Sequence, residues 1–300
     1  MSDVACSATP AATESRWLVP LSLFALYVIW GSTYLGIRYA LVSYPPFLLA
    51  ALRFAIAGVL LFAVLRVRGA ALPTRRQWRN AAIVGTLLLA GGNGLVCYAE
   101  QSVSSGIAAV AVASMPLFAA VFGGLYGEWP SRGETVGLLL GFAGVIVLNL
   151  GAGLSGSPLG AIALIVAASS WAFGSVWSKR QDMPKGPMNV AAQMLCASVA
   201  LGIIALLHGE RLPAHPQASA TAALLYLVVF GSLIAFSAYL YVLKTVRPAL
   251  ATSYAYVNPP VAVLFGVALA GEHVGPFDLG GMAIILVGVG IITLMRQRKA

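Results

Sequence analysis

The chain has few charged residues. Asp, Glu, Lys and Arg make up 9% of its 300 residues, and Asp and Glu together number nine. So little charge beside 60% hydrophobic residues excludes an ordinary soluble globular protein. The cysteines and histidines are also few, and neither type shows the spacing of a metal site or a CxxC motif. These residues are Cys6, Cys97, Cys196, His208, His215 and His273.

Motifs of catalysis and nucleotide binding are missing as well. The sequence has no HExxH, no GxSxG and no Walker A lysine. Gly151–Gly156 fits the spacing GxGxxG, but it follows an apolar segment instead of a predicted strand, so we interpret it as a turn. We therefore expect no enzyme, no cofactor and no metal. A membrane-embedded enzyme acting on lipid is a remote alternative, because we find no nucleophile and base together in an apolar segment.

What the sequence does have is a series of long apolar runs, with a mean hydropathy of +0.89. Runs of this length can cross a bilayer, so they predict an all-α integral membrane protein with ten transmembrane helices. The first sixteen residues are polar and the first run is too long for a signal-peptide core, so we expect no cleaved leader. The predicted segments are about 17–37, 46–65, 78–99, 104–126, 133–151, 158–178, 187–207, 219–243, 249–270 and 277–295.

The basic residues are concentrated on one side of these segments. Of the 18 Lys and Arg residues, only Arg38 and Arg211 fall in odd-numbered connections, and Arg53 lies within the second segment. The other fifteen fall in the two tails or in even-numbered connections. Since Lys and Arg remain on the cytoplasmic side, both termini are predicted to be cytoplasmic. The same placement accounts for the net charge of +9 without a nucleic-acid partner.

The two halves of the sequence repeat each other at a shift of 143 or 144 residues. The clearest pairs are Gly31 with Gly174, Tyr98 with Tyr241, Pro116 with Pro260, and Gly127-Glu128 with Gly271-Glu272. Five segments per copy is an odd number, so the second copy should be inverted in the membrane. Inverted repeats around a central cavity are typical of secondary transporters. The expected divisions are a tail 1–16, a first repeat 17–151, a second repeat 158–295 and a tail 296–300.

The ninth segment is the most informative, because its first half is polar and aromatic although it has no charge. Thr252, Ser253, Tyr254, Tyr256 and Asn258 precede Pro259-Pro260. Pro260 lacks an N–H and crowds the preceding turn, so the helix is expected to bend or open near Tyr256. We interpret the segment as a broken helix that lines a cavity. A kinked packing helix is the alternative.

Other segments also contain aromatic, hydroxyl and amide side chains, above all segments 1, 3, 4, 6 and 8. Such a lining suits an amphiphilic solute with a flat or apolar side chain. Tyrosines near segment ends, such as Tyr98, have anchoring at the membrane interface as their alternative role. The predicted substrate-binding residues are Trp30, Tyr34, Asn93, Tyr98, Met115, Trp171, Trp177, Tyr239, Tyr254, Tyr256 and Asn258. The predicted bending points are Gly31, Gly91, Gly92, Gly94, Pro116, Gly174, Pro259 and Pro260.

No Asp or Glu lies at the centre of a segment, which argues against a cation antiporter built on a membrane-embedded glutamate. The pattern is compatible with a facilitator, or with coupling through Glu100 near the outer end of the third segment. Arg53, near the outer end of the second segment, is expected to extend its guanidinium toward the membrane surface. Binding of a solute carboxylate by Arg53 is the alternative.

Seven short stretches along the chain form a recognisable set: Trp30–Tyr34, Asn93-Gly94, Ser105–Ala109, Pro116-Leu117, Ser170–Ser175, Pro248–Pro259 and Gly271-Glu272. In these stretches, and over its whole length, the chain resembles the EamA branch of the drug/metabolite transporter superfamily. The resemblance implies ten helices around a central cavity, cytoplasmic termini, the bacterial inner membrane and alternating access. Relatives in this branch export amino acids, including aromatic ones, and related metabolites.

The preferred hypothesis is therefore an exporter of aromatic and other neutral amino acids. A second hypothesis is an exporter of another cargo, such as a sugar conjugate, a nucleoside or a cationic drug. The expected partners are the small-molecule substrate and the lipid bilayer, with the chain acting as a monomer or a weak homo-oligomer.

Overall fold

The structure, a computed structural model, describes residues 17–102, 111–149, 157–270 and 275–297. Within these ranges every regular element is a helix and there is no strand. Three stretches discussed above, Ser105–Ala109, Gly151–Gly156 and Gly271-Glu272, lie outside the described residues.

We number the helices of the described ranges α1 to α10 in chain order. Six are long and apolar enough to cross a membrane: α1 (Leu18–Leu41), α2 (Pro46–Val67), α3 (Arg75–Ala99), α6 (Pro158–Ser178), α7 (Pro187–Leu207) and α8 (Ala218–Thr245). The others are α4 (Met115–Leu125), α5 (Arg132–Asn149), α9 (Tyr254–Ala270) and α10 (Pro276–Gln297). An all-helical architecture with several apolar spans, as predicted, is confirmed.

The helix ends follow local sequence rules. Proline occupies the first position of α2, α6, α7 and α10, where its missing N–H costs no hydrogen bond. Thr74 begins α3 through a reciprocal pair of hydrogen bonds with Gln77. Two residues after the ends of α2 and α7 stand Gly69 and Gly209, both with positive φ, which turn the chain out of the helix.

Three helices contain a wider, π-helical segment. These segments are Leu26–Trp30 in α1, Thr86–Gly94 in α3 and Leu227–Ile234 in α8. The segment in α3 includes Gly91, Gly92 and Gly94, where the absence of a Cβ leaves the backbone free to depart from α-helical geometry.

The break in the polar ninth segment lies upstream of its expected position near Tyr256, which corrects the prediction. A short helical turn, Pro248–Ala251, is separated from α9 by Thr252 and Ser253. Both side chains donate to backbone carbonyls of that turn, Thr252 to Pro248 and Ser253 to Leu250, each at 2.8 Å. These side-chain bonds compete with continuation of the helix, whereas Pro259 and Pro260 remain inside α9.

Helices α5 and α10 pack along each other in antiparallel orientation. Gly137 of α5 lies against Ile292, and Gly144 lies against Ile285. Residue numbers thus increase along α5 in the direction in which they decrease along α10. A Cβ built on Gly137 would lie 2.8 Å from the carbonyl oxygen of Gly288. Small residues therefore allow the two backbones to approach closely.

Helices α2 and α7 form a second antiparallel pair. Gly58 in the middle of α2 lies against Leu195 of α7. At the start of α2, the backbone N–H groups of Phe47 and Leu48 donate to the Glu210 carboxylate, which follows the end of α7. This contact satisfies N-terminal amide groups of α2 with a negative charge.

The connections between helices meet at two opposite faces. At the first, which we call the basic face, Arg180 after α6 pairs with Glu128 after α4 at 2.8 Å, and Asn80 near the start of α3 donates to the Asp182 carbonyl. At the second, the outer face, the backbone N–H of Ser157 donates to the carbonyl of Ser102. Even and odd connections thus lie on different faces, as expected for helices that alternate in direction.

Candidate functional site

A cavity lies among α1, α2, α3, α6, α8, α9 and the residues at the start of α4. Its empty volume is about 670 Å³, including the part open to solvent. Helix α2 was not among the predicted walls and contributes Arg53 and Phe54. Further wall residues that were not singled out as binding residues include Thr33, Val96, Gly231 and Phe236.

Seven of the eleven residues predicted to bind substrate are brought together around this cavity. They are Trp30, Tyr34, Asn93, Met115, Trp171, Tyr254 and Asn258. Because α1, α3, α4, α6 and α9 each supply at least one of them, only the tertiary packing collects them. Substrate binding by these residues stays a prediction.

The rings of Trp30, Trp171, Tyr239 and Tyr254, which we call the aromatic cluster, pack directly on one another. Trp30 is central, with ring centroids 4.6 Å from Tyr254, 5.3 Å from Tyr239 and 5.5 Å from Trp171. Its indole N–H donates to the Gly231 carbonyl at 3.1 Å, which fixes the ring against α8. Edge-to-face contacts of this kind stabilise a fixed arrangement of rings beside the cavity.

The other four predicted residues lie away from the cavity wall. Tyr239 belongs to the aromatic cluster but is fully buried and does not line the cavity, and its hydroxyl is 2.6 Å from that of Ser175. Tyr98 stacks on Phe47 with centroids 5.6 Å apart. Tyr256 is fully buried against Gly141 of α5, and the half-buried Trp177 packs against the core.

Arg53 contradicts the expectation that it reaches the membrane surface. Its side chain is only 3% exposed and its guanidinium lines the cavity. Nε donates to the Ser232 hydroxyl at 2.7 Å, and Nη1 donates to the Asn93 amide oxygen at 3.3 Å. Arg53 is the eighth residue of α2, about 10 Å along the helix from its start. The acceptors on α3 and α8 hold the charge inside the bundle. The sequence of the second segment alone gave no sign of these partners.

Asn258 and Glu100 each have a buried oxygen that, among the described residues, has no hydrogen-bond partner. Asn258 lines the cavity, whereas Glu100 follows the end of α3 and is not part of the wall. Coupling through Glu100 therefore remains a prediction. Over the same described ranges, no three His, Cys, Asp or Glu side chains are grouped as metal ligands.

The predicted bending points differ in their local structure. Gly31 directly follows the π segment of α1, and Pro116 stands at the start of α4, after a turn at Ser114. Gly91, Gly92 and Gly94 lie within the π segment of α3, and Pro259 and Pro260 lie inside α9. Gly174 lies in the regular helix α6, where a Cβ would clash with the Leu88 side chain.

Two hydrogen bonds join helices between the cavity and the basic face. Tyr27 and Ser253 join α1 to the break before α9 through hydroxyls 2.9 Å apart. Nearer the face, Lys179 donates to the Val246 carbonyl at 3.1 Å, and burial lowers the pKa of this lysine. The cavity wall instead uses the second half of α1 and the first half of α2, which lie toward the outer face.

The match to a known family follows the same division into halves. The model of the EamA-like transporter family matches residues 17–150 and, a second time, residues 158–294. The chain belongs to the EamA-like transporter family. It is therefore a membrane transporter, and the resemblance found in the sequence is confirmed.

Several relatives of this EamA-like chain are themselves named as transporters. It is 50% identical over 282 residues to the inner membrane transporter YedA of Escherichia coli K12, covering 93% of this chain and 92% of YedA. It is 25% identical over 293 residues to the transporter YoaV of Bacillus subtilis, covering 94% and 98%. A WAT1-related chloroplast protein of Arabidopsis thaliana is 28% identical over 295 residues, covering 93% and 70%. None of these names specifies a solute.

The EamA-like fold also has a counterpart among solved structures. A crystal structure superposes with a TM-score of 0.78 at 24% sequence identity, covering 95% of this chain and 99% of the other. This similarity supports the fold alone.

Proposed function

We propose that this EamA-like transporter exports aromatic and other neutral amino acids through the cavity. The observation that carries the proposal is the composition of the wall, where Trp30, Trp171 and Tyr254 lie beside the amides of Asn93 and Asn258. Aromatic faces favour a flat or apolar side chain, and amides can bind the polar atoms of the amino-acid backbone. All walls come from one chain, so a monomer would be sufficient.

We further propose that all ten helices cross the membrane as two inverted five-helix repeats. Two observations support this arrangement. The family model matches the chain twice. Helices α2 and α7, which hold equivalent places in the two halves, are antiparallel, and so are α5 and α10. Equivalent helices that run in opposite directions are what an inversion produces.

The basic face is proposed to be cytoplasmic, with both termini on that side of a bacterial inner membrane. Arg and Lys side chains of the even connections support this orientation, since such residues are retained in the cytoplasm. The name of the E. coli relative places that protein in the inner membrane. In this orientation we propose that the described conformation is the outward-facing one, because the Tyr27–Ser253 and Lys179–Val246 hydrogen bonds lie on the cytoplasmic side of the cavity.

Alternating access would then require the contacts on the basic face to open while the outer half closes. The Tyr27–Ser253 and Lys179–Val246 hydrogen bonds are the contacts that must break. The π segments of α1, α3 and α8 and the break before α9 are the points at which the helices can bend. Export is the direction we propose, on the basis of the family resemblance.

The first prediction is that purified protein in liposomes transports labelled Phe, Trp, Thr or Met faster than protein-free liposomes. Trp30→Ala should lower the rate for Phe and Trp by roughly tenfold, because an aromatic contact in the cavity is lost. Phe24→Ala, on the lipid-exposed side of the same helix, is the matched control and should leave the rate unchanged. If liposomes that contain correctly inserted protein are no more permeable to these amino acids than protein-free liposomes, the proposed substrates are refuted.

A further inference from the structure

Arg53 is a buried cation that lacks a counter-ion in the described part of the chain. Ion pairs in those ranges join Arg180 to Glu128 and Arg247 to Glu134, both at the basic face. Arg53 instead contacts a neutral hydroxyl and a neutral amide, and its guanidinium carbon lies 5.0 Å from the centre of the Phe54 ring. Burying a charge without an anion is unfavourable, so the site favours an anion that comes from outside the protein.

The guanidinium retains donors for such an anion. Arginine has five N–H donors, and the contacts to Ser232 and Asn93 use one from Nε and one from Nη1. Nη2 lies beside Gly231, where a Cβ would be only 2.6 Å away, so glycine at this position leaves room for the guanidinium. A planar guanidinium with free N–H groups matches the two oxygens of a carboxylate.

The packing of α2 in the bundle does not explain why residue 53 is positively charged. Helices α2 and α7 both begin with proline and end two residues before a glycine with positive φ. The eighth residue of α2 is Arg53, whereas the eighth residue of α7 is Met194, which is fully buried. Counted from the helix start, an uncharged side chain thus fills the corresponding place in the second half, and the shift of 143 or 144 residues also places an uncharged residue, Cys196 or Ala197, opposite Arg53.

We propose that Arg53 binds the carboxylate of the transported solute, and that the cavity therefore selects carboxylate-bearing, zwitterionic or anionic solutes over cations. The buried Oδ1 of Asn258 in the same wall, which no donor of the described residues reaches, is the acceptor for a substrate ammonium group. This assignment rests on one part of the proposed function, namely that the solute passes through the cavity, and it does not require the solute to be an amino acid. It also disfavours a cationic drug as cargo, since Arg53 would repel it.

The test compares four probes that share a phenyl ring: L-phenylalanine, 3-phenylpropionate, L-phenylalaninamide and phenethylamine. Binding to the full-length purified protein is measured by the change in tryptophan fluorescence, because Trp30 and Trp171 line the cavity. The wild-type protein is expected to bind the two carboxylates at least about 30-fold more tightly than the amide or the amine. Arg53→Met, which copies the residue of α7, should lose that preference, and Arg53→Lys should retain part of it.

The outcomes separate this proposal from the proposed function. Transport of phenylalanine that is equal in the wild-type protein and a folded Arg53→Met variant would overturn the role of Arg53 but leave amino-acid export intact. Arg53-dependent binding of 3-phenylpropionate without binding of phenylalanine would support Arg53 and refute amino-acid export. A wild-type protein that binds all four probes equally, or none of them, would also overturn the proposal. The comparison of the four probes on the wild-type protein decides the proposal even where Arg53→Met fails to fold.

Discussion

At the scale of residues, the cavity is built around a charge held by neutral groups. Transferring an ion into a protein interior costs several kcal/mol. Hydrogen bonds to a charged group each contribute about 1.5–3 kcal/mol, so the bonds to Ser232 and Asn93 offset only part of that cost. An additional anion beside Arg53 would therefore lower the free-energy cost of burying its charge. For this reason a buried arginine can act in binding while it contributes little to stability.

Glycines determine how closely the helices approach, and Gly85 provides a direct test. A Cβ on Gly85 in α3 would lie 2.5 Å from the backbone carbonyl oxygen of Gln193 in α7, and this backbone atom cannot rotate away. Gly85→Ala should destabilise the protein by about 1–3 kcal/mol. The readout is the midpoint of thermal unfolding in detergent.

The matched control for Gly85→Ala is Gly202→Ala in α7. No atom lies within 4 Å of a Cβ built at Gly202. Because alanine favours a helix over glycine by up to about 1 kcal/mol, this variant should be as stable as the wild-type protein or slightly more stable. An unchanged unfolding midpoint for Gly85→Ala would contradict the close approach of α3 and α7.

At the scale of elements, the three π segments border the cavity, and those of α3 and α8 supply groups that contact Arg53. The segment in α1 supplies Trp30, the segment in α3 supplies Asn93, and the segment in α8 supplies Gly231 and Ser232. A π turn shifts the register of the side chains that follow it along the helix. We infer that this shift aims a polar face inward at mid-membrane while both ends of each helix remain regular.

The start of α5 is linked to the connection before α9 by one ion pair, and this link yields the next prediction. Glu134 is 2% exposed, pairs with Arg247 at 3.0 Å and accepts the Ser131 backbone N–H at 2.7 Å. Glu134→Ala removes both contacts and should destabilise the protein by about 2 kcal/mol. Thermal unfolding in detergent measures the change.

The control is Glu128→Ala, which removes the exposed ion pair with Arg180 on the same face. Because exposed pairs are screened by water and salt, its cost should be below about 0.5 kcal/mol. Equal destabilisation by the two variants would show that burial of Glu134 adds nothing to the link.

At the scale of the whole molecule, paired antiparallel helices relate the two halves. Helices α2 and α7 pack together, as do α5 and α10, and the contacts of α3 with α6 have a counterpart in those of α8 with α1. Each half therefore completes its packing only with the other. We expect neither half to fold as a stable unit when it is expressed alone.

Membrane topology is the prediction at this scale. In a background without native cysteines, Arg68→Cys and Glu128→Cys should react with a membrane-impermeant maleimide only after the cells are opened. Ser43→Cys and Arg211→Cys should react in intact cells, because the odd connections lie on the outer face. Labelling of Arg68→Cys in intact cells would refute the proposed orientation, and labelling of both classes from one side would refute the alternation of helices.

The sequence by itself predicted the helical class, the apolar spans, their approximate ends and the family. These properties depend on local information: apolar length predicts a span, proline and glycine mark where helices begin and end, and repeated residue pairs mark the two halves. It also identified Trp30, Asn93 and Trp171 as candidates, because polar and aromatic side chains stand out in apolar segments.

Only the tertiary structure decided which of those side chains share one space and which are hidden behind it. Tyr239 and Tyr256 are buried tyrosines like Tyr254, yet they contact Ser175 and Gly141 and do not line the cavity. Arg53 was expected at the membrane surface, and its burial could not be read from the second segment. Its two acceptors, Asn93 and Ser232, lie 40 and 179 residues away in the chain. A side chain's direction and its partners depend on the register between distant helices, and that register is set by close packing of the whole bundle.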